Sequence, residues 1–213
     1  MKRKLFIVAL AILLALYGYR VYAVNNSEFV NYARPITLEH QAGEVVALMP
    51  GYYNTGYADL RGYYITVTGA HFVKLENFLL ENGYDNSFYE TEQVNHNYQY
   101  LYIVDATFHF DGENDPLDNA VDLTSFKLVG NDYYCNFSYE VNGLETVNPV
   151  LLQGSSSFSI GSGREIGLEL PFLVDTDSVW GISPEYLLTH PPRLMVSQYP
   201  YEVYISLPVA EVC

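Results

Sequence analysis

Tyr98 to Phe110 reads YQYLYIVDATFHF, and this stretch decides the fold. Tyr98, Tyr100, Tyr102, Val104, Ala106, Phe108 and Phe110 occupy every second position, all apolar or aromatic. Gln99, Leu101, Ile103, Asp105, Thr107 and His109 alternate with them and turn polar towards the end. A period of two, sustained in β-branched and aromatic residues, is the signature of a strand with one buried face. Thirteen residues at about 3.3 Å each span roughly 43 Å, long for a strand, so a bend or bulge is expected near Asp105. The segment is therefore the expected centre of a sheet around which the other strands pair.

The rest of the chain supplies such partners. Tyr63, Ile65 and Val67 alternate with Tyr64, Thr66 and Thr68, and Ala70 to Leu75 continues that strand past a bend at Gly69. Ser125 to Val129 and Tyr133 to Val141 are joined by Gly130-Asn131-Asp132, a compact hairpin signal. Ser157 to Ile160 and Ile166 to Val174 flank the glycine-rich GSGRE and are expected to form another hairpin. Leu194 to Gln198 and Tyr201 to Leu207 read as the last two strands, broken at Pro200. One short helix is expected over Pro184 to His190, with Ser183 as N-cap and Pro184 at the first position. Part of Glu76 to Asn97 can also be helical. Eight or so short strands separated by turn signals point to an all-β, antiparallel sandwich.

The ends of the chain set the expected compartment. Lys2, Arg3 and Lys4 precede the apolar run LFIVALAILLALYGY, which stops at Arg20. Fifteen helical residues cover only about 22 Å of a roughly 30 Å hydrocarbon layer, the proportions of a signal peptide. Val21-Tyr22-Ala23 offers small or compact residues for cleavage after Ala23; retention as a membrane anchor is the alternative. Residues 1–23 are thus the signal peptide or anchor, 24–61 a spacer with a candidate first strand at Glu44 to Met49, and 62–213 the sandwich domain. Beyond Ala23 six basic residues face 25 acidic ones, a formal charge of −19. Such a surface repels nucleic acid and anionic lipid, so a nucleic-acid partner is not expected. The expected location is outside the cell membrane, secreted or held by the N-terminal segment.

Four features, YLYIVDATFHF, DLTSFKLVGNDYY, SGREIGLELPFLV and LMVSQYPYEVYISL, carry a resemblance over roughly Tyr63 to Leu207. The succession resembles immunoglobulin-like surface domains of Gram-positive bacteria, and more specifically the domain of unknown function 5028 family. That resemblance implies an exported, immunoglobulin-like β-sandwich, membrane-associated or secreted, and brings no activity or site with it.

Chemistry-bearing motifs are few. Asp111, Glu113, Asp115 and Asp118 form an acidic turn whose carboxylates can converge on a hard cation. Pro116 stands where a calcium loop needs glycine, so a tight calcium site is not expected. GSGREIG lacks the following helix that a phosphate cradle needs and reads as a turn. Gly154 to Ser157 lacks the spacing of a nucleophile elbow. The five histidines show no HExxH pattern and no His-x-His pair. Adjacent tyrosines, Tyr63-Tyr64 and Tyr133-Tyr134, must point to opposite faces of their strands, so one of each pair leaves the core. These four residues form the candidate binding face, for a protein or glycan at the cell surface. Cys135 sits in a strand and Cys213 ends the chain, and no disulfide is expected between them.

The expected function is a non-enzymatic binding or structural module without a cofactor. Two alternatives are kept. The first is a carbohydrate-binding module, which needs outward tyrosines gathered into one patch. The second is a carboxylate-dependent hydrolase, which needs two carboxylates facing one cleft roughly 5–10 Å apart.

Overall fold

The computed structural model describes residues 2–25, 35–53, 56–81, 98–112, 120–137, 148, 156–175 and 181–212. The chain forms two compact units, Met1–Ile36 and Thr37–Cys213. In the first, α1 (Lys2–Asn25) exposes Leu13, Leu14 and Leu16. Among the described residues no helix is long and apolar enough to cross a membrane.

The second unit is mostly β-structure, with strands β1 (Ile36–Gln41), β2 (Val46–Ala47), β3 (Gly51–Tyr53), β4 (Gly56–Ala58), β5 (Tyr63–Lys74), β6 (Tyr98–Phe110) and β7 (Val121–Asp122). After them come β8 (Lys127–Val129), β9 (Tyr134–Asn136), β10 (Ser157–Phe158), β11 (Arg164–Asp175), β12 (Arg193–Ser197), β13 (Tyr201–Ser206) and β14 (Glu211–Val212). Two helices, α2 (Leu75–Glu81) and α3 (Pro184–Thr189), complete it.

β6 is the central strand that its alternation requires, paired with β11 on one edge and β5 on the other. The free edge of β5 carries β2, antiparallel at Tyr64 and Ile65, and β14, parallel at His71 and Phe72. The second sheet runs β1-β13-β12-β8-β9. Short ribbons pair β3 with β4 and β7 with β10.

One face of each sheet contributes to the same core. Tyr63, Ile65, Phe72, Tyr102, Val104, Phe108, Leu170 and Phe172 come from the first sheet, and Leu128, Leu194, Val196, Val203 and Ile205 from the second. The opposite face of the first sheet is buried at one end only. There Val73, Leu101 and Ile103 form a second cluster with Leu75, Phe78 and Leu79 of α2. Beyond Ile103 the alternating residues Asp105, Thr107 and His109 are half-buried. The helix thus explains why one strand is apolar on both faces at its start and on one face at its end.

The irregularity expected near Asp105 lies on the neighbouring strand. β6 keeps its register around Asp105, while β5 shifts between Val67 and Gly69, which stands opposite Asp105. A Cβ on Gly69 would lie 2.7 Å from Asp105 Oδ2, so glycine makes room for that carboxylate.

Two expectations change. The stretch 24–61, taken as a spacer with one candidate strand at Glu44 to Met49, carries β2 within that candidate and β1, β3 and β4 besides, and Val46, Leu48, Tyr53 and Leu60 join the core. The expected hairpin around GSGRE does not form. β11 fills the edge of β6, while β10 turns away to pair with β7 and sets Phe158 edge-on to Phe108 at 5.0 Å. GSGRE itself is a turn, closed by Arg164 N–H to Gly161 O, with Gly163 at φ 71° and its N–H donated to Phe110 O.

Candidate functional site

The acidic turn is described only at its start. Asp111 is exposed and its N–H donates to Gly62 O at 3.0 Å; Glu113, Asp115 and Asp118 lie outside the described residues. Asp122, further along, caps a short 3-10 turn by accepting from Thr124 N at 3.0 Å and Thr124 Oγ1 at 2.8 Å. Among the described residues no three metal-ligating side chains are grouped to hold an ion.

The tyrosine pairs are split by the fold. Tyr63 is buried, its ring 4.4 Å from that of Phe110, and its hydroxyl accepts from Ile160 N. Tyr64 is half-buried beside His109 on the outer face of the first sheet. Tyr134 is exposed on the second sheet with Lys127 Nζ 5.9 Å over its ring. Tyr133 lines a cavity.

That cavity is built against α3. Ser183 caps the helix by accepting from Tyr186 N at 3.2 Å, and Pro184 starts it, as the sequence requires. Leu187 points into the core and fixes which side faces out. Tyr186 and His190, four residues apart, then share the other side and stack at 4.3 Å and 17°. The turn from Gly130 to Tyr133, closed by Gly130 N–H to Tyr133 O, brings two further groups. Tyr133 donates its hydroxyl to His190 O at 3.2 Å, and Asp132 Oδ1 accepts from Tyr186 Oη at 3.2 Å. The Tyr133 and Tyr186 rings meet edge-to-face at 6.2 Å. Asp132, Tyr133, Gly181, Ile182, Ser183 and Tyr186 line an open cavity of about 460 Å³. On the other side of α3 a cavity of about 360 Å³ is lined by Phe72, Tyr100, Lys74, Glu76 and Glu185 among others, with Phe72 and Tyr100 stacked at 4.9 Å.

Burial, first, pushes the Tyr133 hydroxyl's pKa up, with Cys135 and Tyr102 adding to it. Tyr186 is also raised, by desolvation and by the Asp132 carboxylate on its hydroxyl. Both hydroxyls therefore stay protonated as donors at neutral pH. Cys135 is a free, buried thiol pushed up to about 12, chiefly by burial, and is not a nucleophile near neutrality. Its notional partner Cys213 lies outside the described residues.

A second polar cluster lies on the outer face of the first sheet. Register sets Asp105 between Gly69 and Glu169, and His71 Nδ1 stands 3.6 Å from Asp105 Oδ2. Partial burial raises Glu169, the Asp105 charge adds to that, and His71 opposes it. The backbone of Glu169 is held by Asn148, whose amide accepts from Glu169 N at 2.8 Å and donates to Glu169 O at 2.7 Å.

Residues 37–202 match the family described as Domain of unknown function (DUF5028). The chain belongs to this family. No curated protein and no solved structure matches it. The DUF5028 region takes in both polar clusters and all of α3, and leaves α1 and β14 outside. Within it, sequence reasoning singled out Tyr133 and passed over Asp132, Tyr186 and His190. The signal was there in part: the Ser183-Pro184 start fixes a helix phase that aligns Tyr186 with His190, and the turn holding Asp132 was legible. Their meeting across more than 50 residues of chain was not.

Proposed function

We propose that this DUF5028 protein is an exported, non-enzymatic binding module, an immunoglobulin-like β-sandwich outside the membrane whose ligand contacts lie beside α3. The observation that carries the reading is the cavity of about 460 Å³ lined by Tyr133, Tyr186 and Asp132. Concave sites combining aromatic walls with a few placed polar groups are where ligands bind. Export is supported by the basic flank before an apolar helix, and the sandwich by two sheets that share one core. The N-terminal segment either holds the domain at the membrane or is removed after Ala23. A partner protein or glycan at the cell surface is the expected ligand class.

Two readouts test this. A reporter fused after Cys213 should be active outside the cytoplasm only, and mass spectrometry of the mature N-terminus should find Val24 or Met1. The purified domain, labelled and added to cells, should be retained by wild type and lost in Asp132→Asn with Tyr186→Leu. A cytoplasmic reporter, or retention unchanged in the variant, would contradict the proposal.

A further inference from the structure

The chain places tyrosine rings next to cations at two other positions. At Tyr204 the hydroxyl donates to Glu202 Oε2 at 3.4 Å, and the Arg193 guanidinium lies 4.4 Å over the ring while pairing with Glu39 at 2.7 Å. At Tyr134 the chain supplies Lys127. At Tyr204 a ring, a carboxylate and a cation thus form one unit, and at Tyr134 a ring and a cation do, with the attraction coming from the ring quadrupole and, at Tyr204, the carboxylate charge as well.

Beside α3 the chain supplies two of the three parts. Tyr186 provides the ring with a carboxylate, Asp132, on its hydroxyl, as Tyr204 has Glu202. Tyr133 adds a second ring edge-on to the first. The described residues lining the cavity include no lysine and no arginine. The domain beyond Ala23 carries six basic against 25 acidic residues, a field that draws in cations and gives a neutral sugar no advantage.

We infer that the cavity beside α3 binds the alkylammonium group of a small ligand or exposed side chain, seated against the paired Tyr133 and Tyr186 rings and beside the Asp132 carboxylate. The inference rests on the binding reading above and names the ligand chemistry of that site. A few hundred Å³ accommodates such a group. Quaternary and primary ammonium ions share the chemistry and differ only in whether they can also donate hydrogen bonds.

Isothermal titration at neutral pH and low salt tests it with three probes on the exported domain. These are choline, N-acetyl-lysine methylamide and 3,3-dimethylbutan-1-ol, the neutral isostere of choline. At least one ammonium probe should bind about tenfold or more tighter than the isostere, a margin within reach of a cation–π contact combined with the Asp132 charge. Asp132→Asn keeps an acceptor for Tyr186 and removes the charge, and should erase most of that margin; Asp132 is exposed, so the fold is retained. Tyr186→Phe keeps the ring and should retain more of the preference. The relative affinity of choline and the lysine probe separates a quaternary from a primary ammonium source. Equal binding of choline and the isostere, no binding by either ammonium probe, or a preference unchanged in Asp132→Asn would overturn the inference. Cell retention that survives those results would leave a binding module with a different ligand.

Discussion

Two places in this molecule collect the same ingredients. The outer face of the first sheet has Tyr64, His109, His71, Asp105 and Glu169; the α3 site has Tyr133, Tyr186, His190 and Asp132. On the sheet the β-lattice fixes every neighbour, so Asp105 and Glu169 stand opposite one another on a pleated surface. Beside α3 a turn and a short helix meet, and similar residue types line a cavity. Composition alone does not separate the two. Curvature does: a ligand can lose water on several sides at once only where groups converge.

The comparison can be broken most forcefully at Leu187, the buried residue through which α3 is seated. Leu187→Ala should cost about 2–5 kcal/mol in urea unfolding. Even where the domain stays folded, the Tyr133 and Tyr186 rings should separate while the sheet cluster keeps its register. Loss of signals across both clusters alike would show that they are not independently supported.

Gly69→Ala is the matching lesion on the sheet. Its Cβ would meet the Asp105 carboxylate at 2.7 Å, so about 1–3 kcal/mol of destabilisation is expected. Combined with Asp105→Ala the penalty should fall well below that, since the crowding partner is gone, and a double-mutant cycle reads the difference. Additive penalties would place the strain in the backbone instead.

Tyr133→Phe removes only the hydroxyl that donates to His190 O. About 0.5–1.5 kcal/mol is expected, with faster amide exchange confined to α3. No change in exchange at Tyr186 and His190 would mean that the helix is held without it.

The smallest effect is a slope with pH. Glu169 is raised above its ordinary value by partial burial and by Asp105. In the interval between its unfolded and folded values the native state binds the extra proton, so stability falls as pH rises through that interval. Glu169→Gln should flatten that part of the profile measured from acid towards neutral pH. An unchanged slope would place that loss of stability with rising pH elsewhere.

Much of the fold was legible because β-strands announce themselves by a period of two. β6, the bend at Gly69, the Gly130 turn, the Ser183 cap and the last two strands all follow from local rules. What was not legible depended on partners distant in sequence. β10 has two residues and no pattern of its own, and pairs with β7 because Phe158 seats against Phe108. Strands β1 to β4 lie in a glycine- and tyrosine-rich stretch whose burial comes from the sheet beneath it. The same limit hid the candidate site: Tyr133 was singled out with Tyr63, Tyr64 and Tyr134, while the groups it meets come from α3. Tyr63, carrying the same adjacent-tyrosine signature, is wholly in the core.

The central claim is that ligands are met beside α3 and not on the polar sheet face. A two-dimensional amide NMR titration of the exported domain tests it most directly, using simple sugars, alkylammonium salts and short peptides in turn. Saturable shifts should gather at Asp132, Tyr133, Ser183 and Tyr186, with Tyr64, Asp105, His109 and Glu169 unmoved. Shifts that gather on the sheet cluster and leave the α3 residues still would contradict the claim.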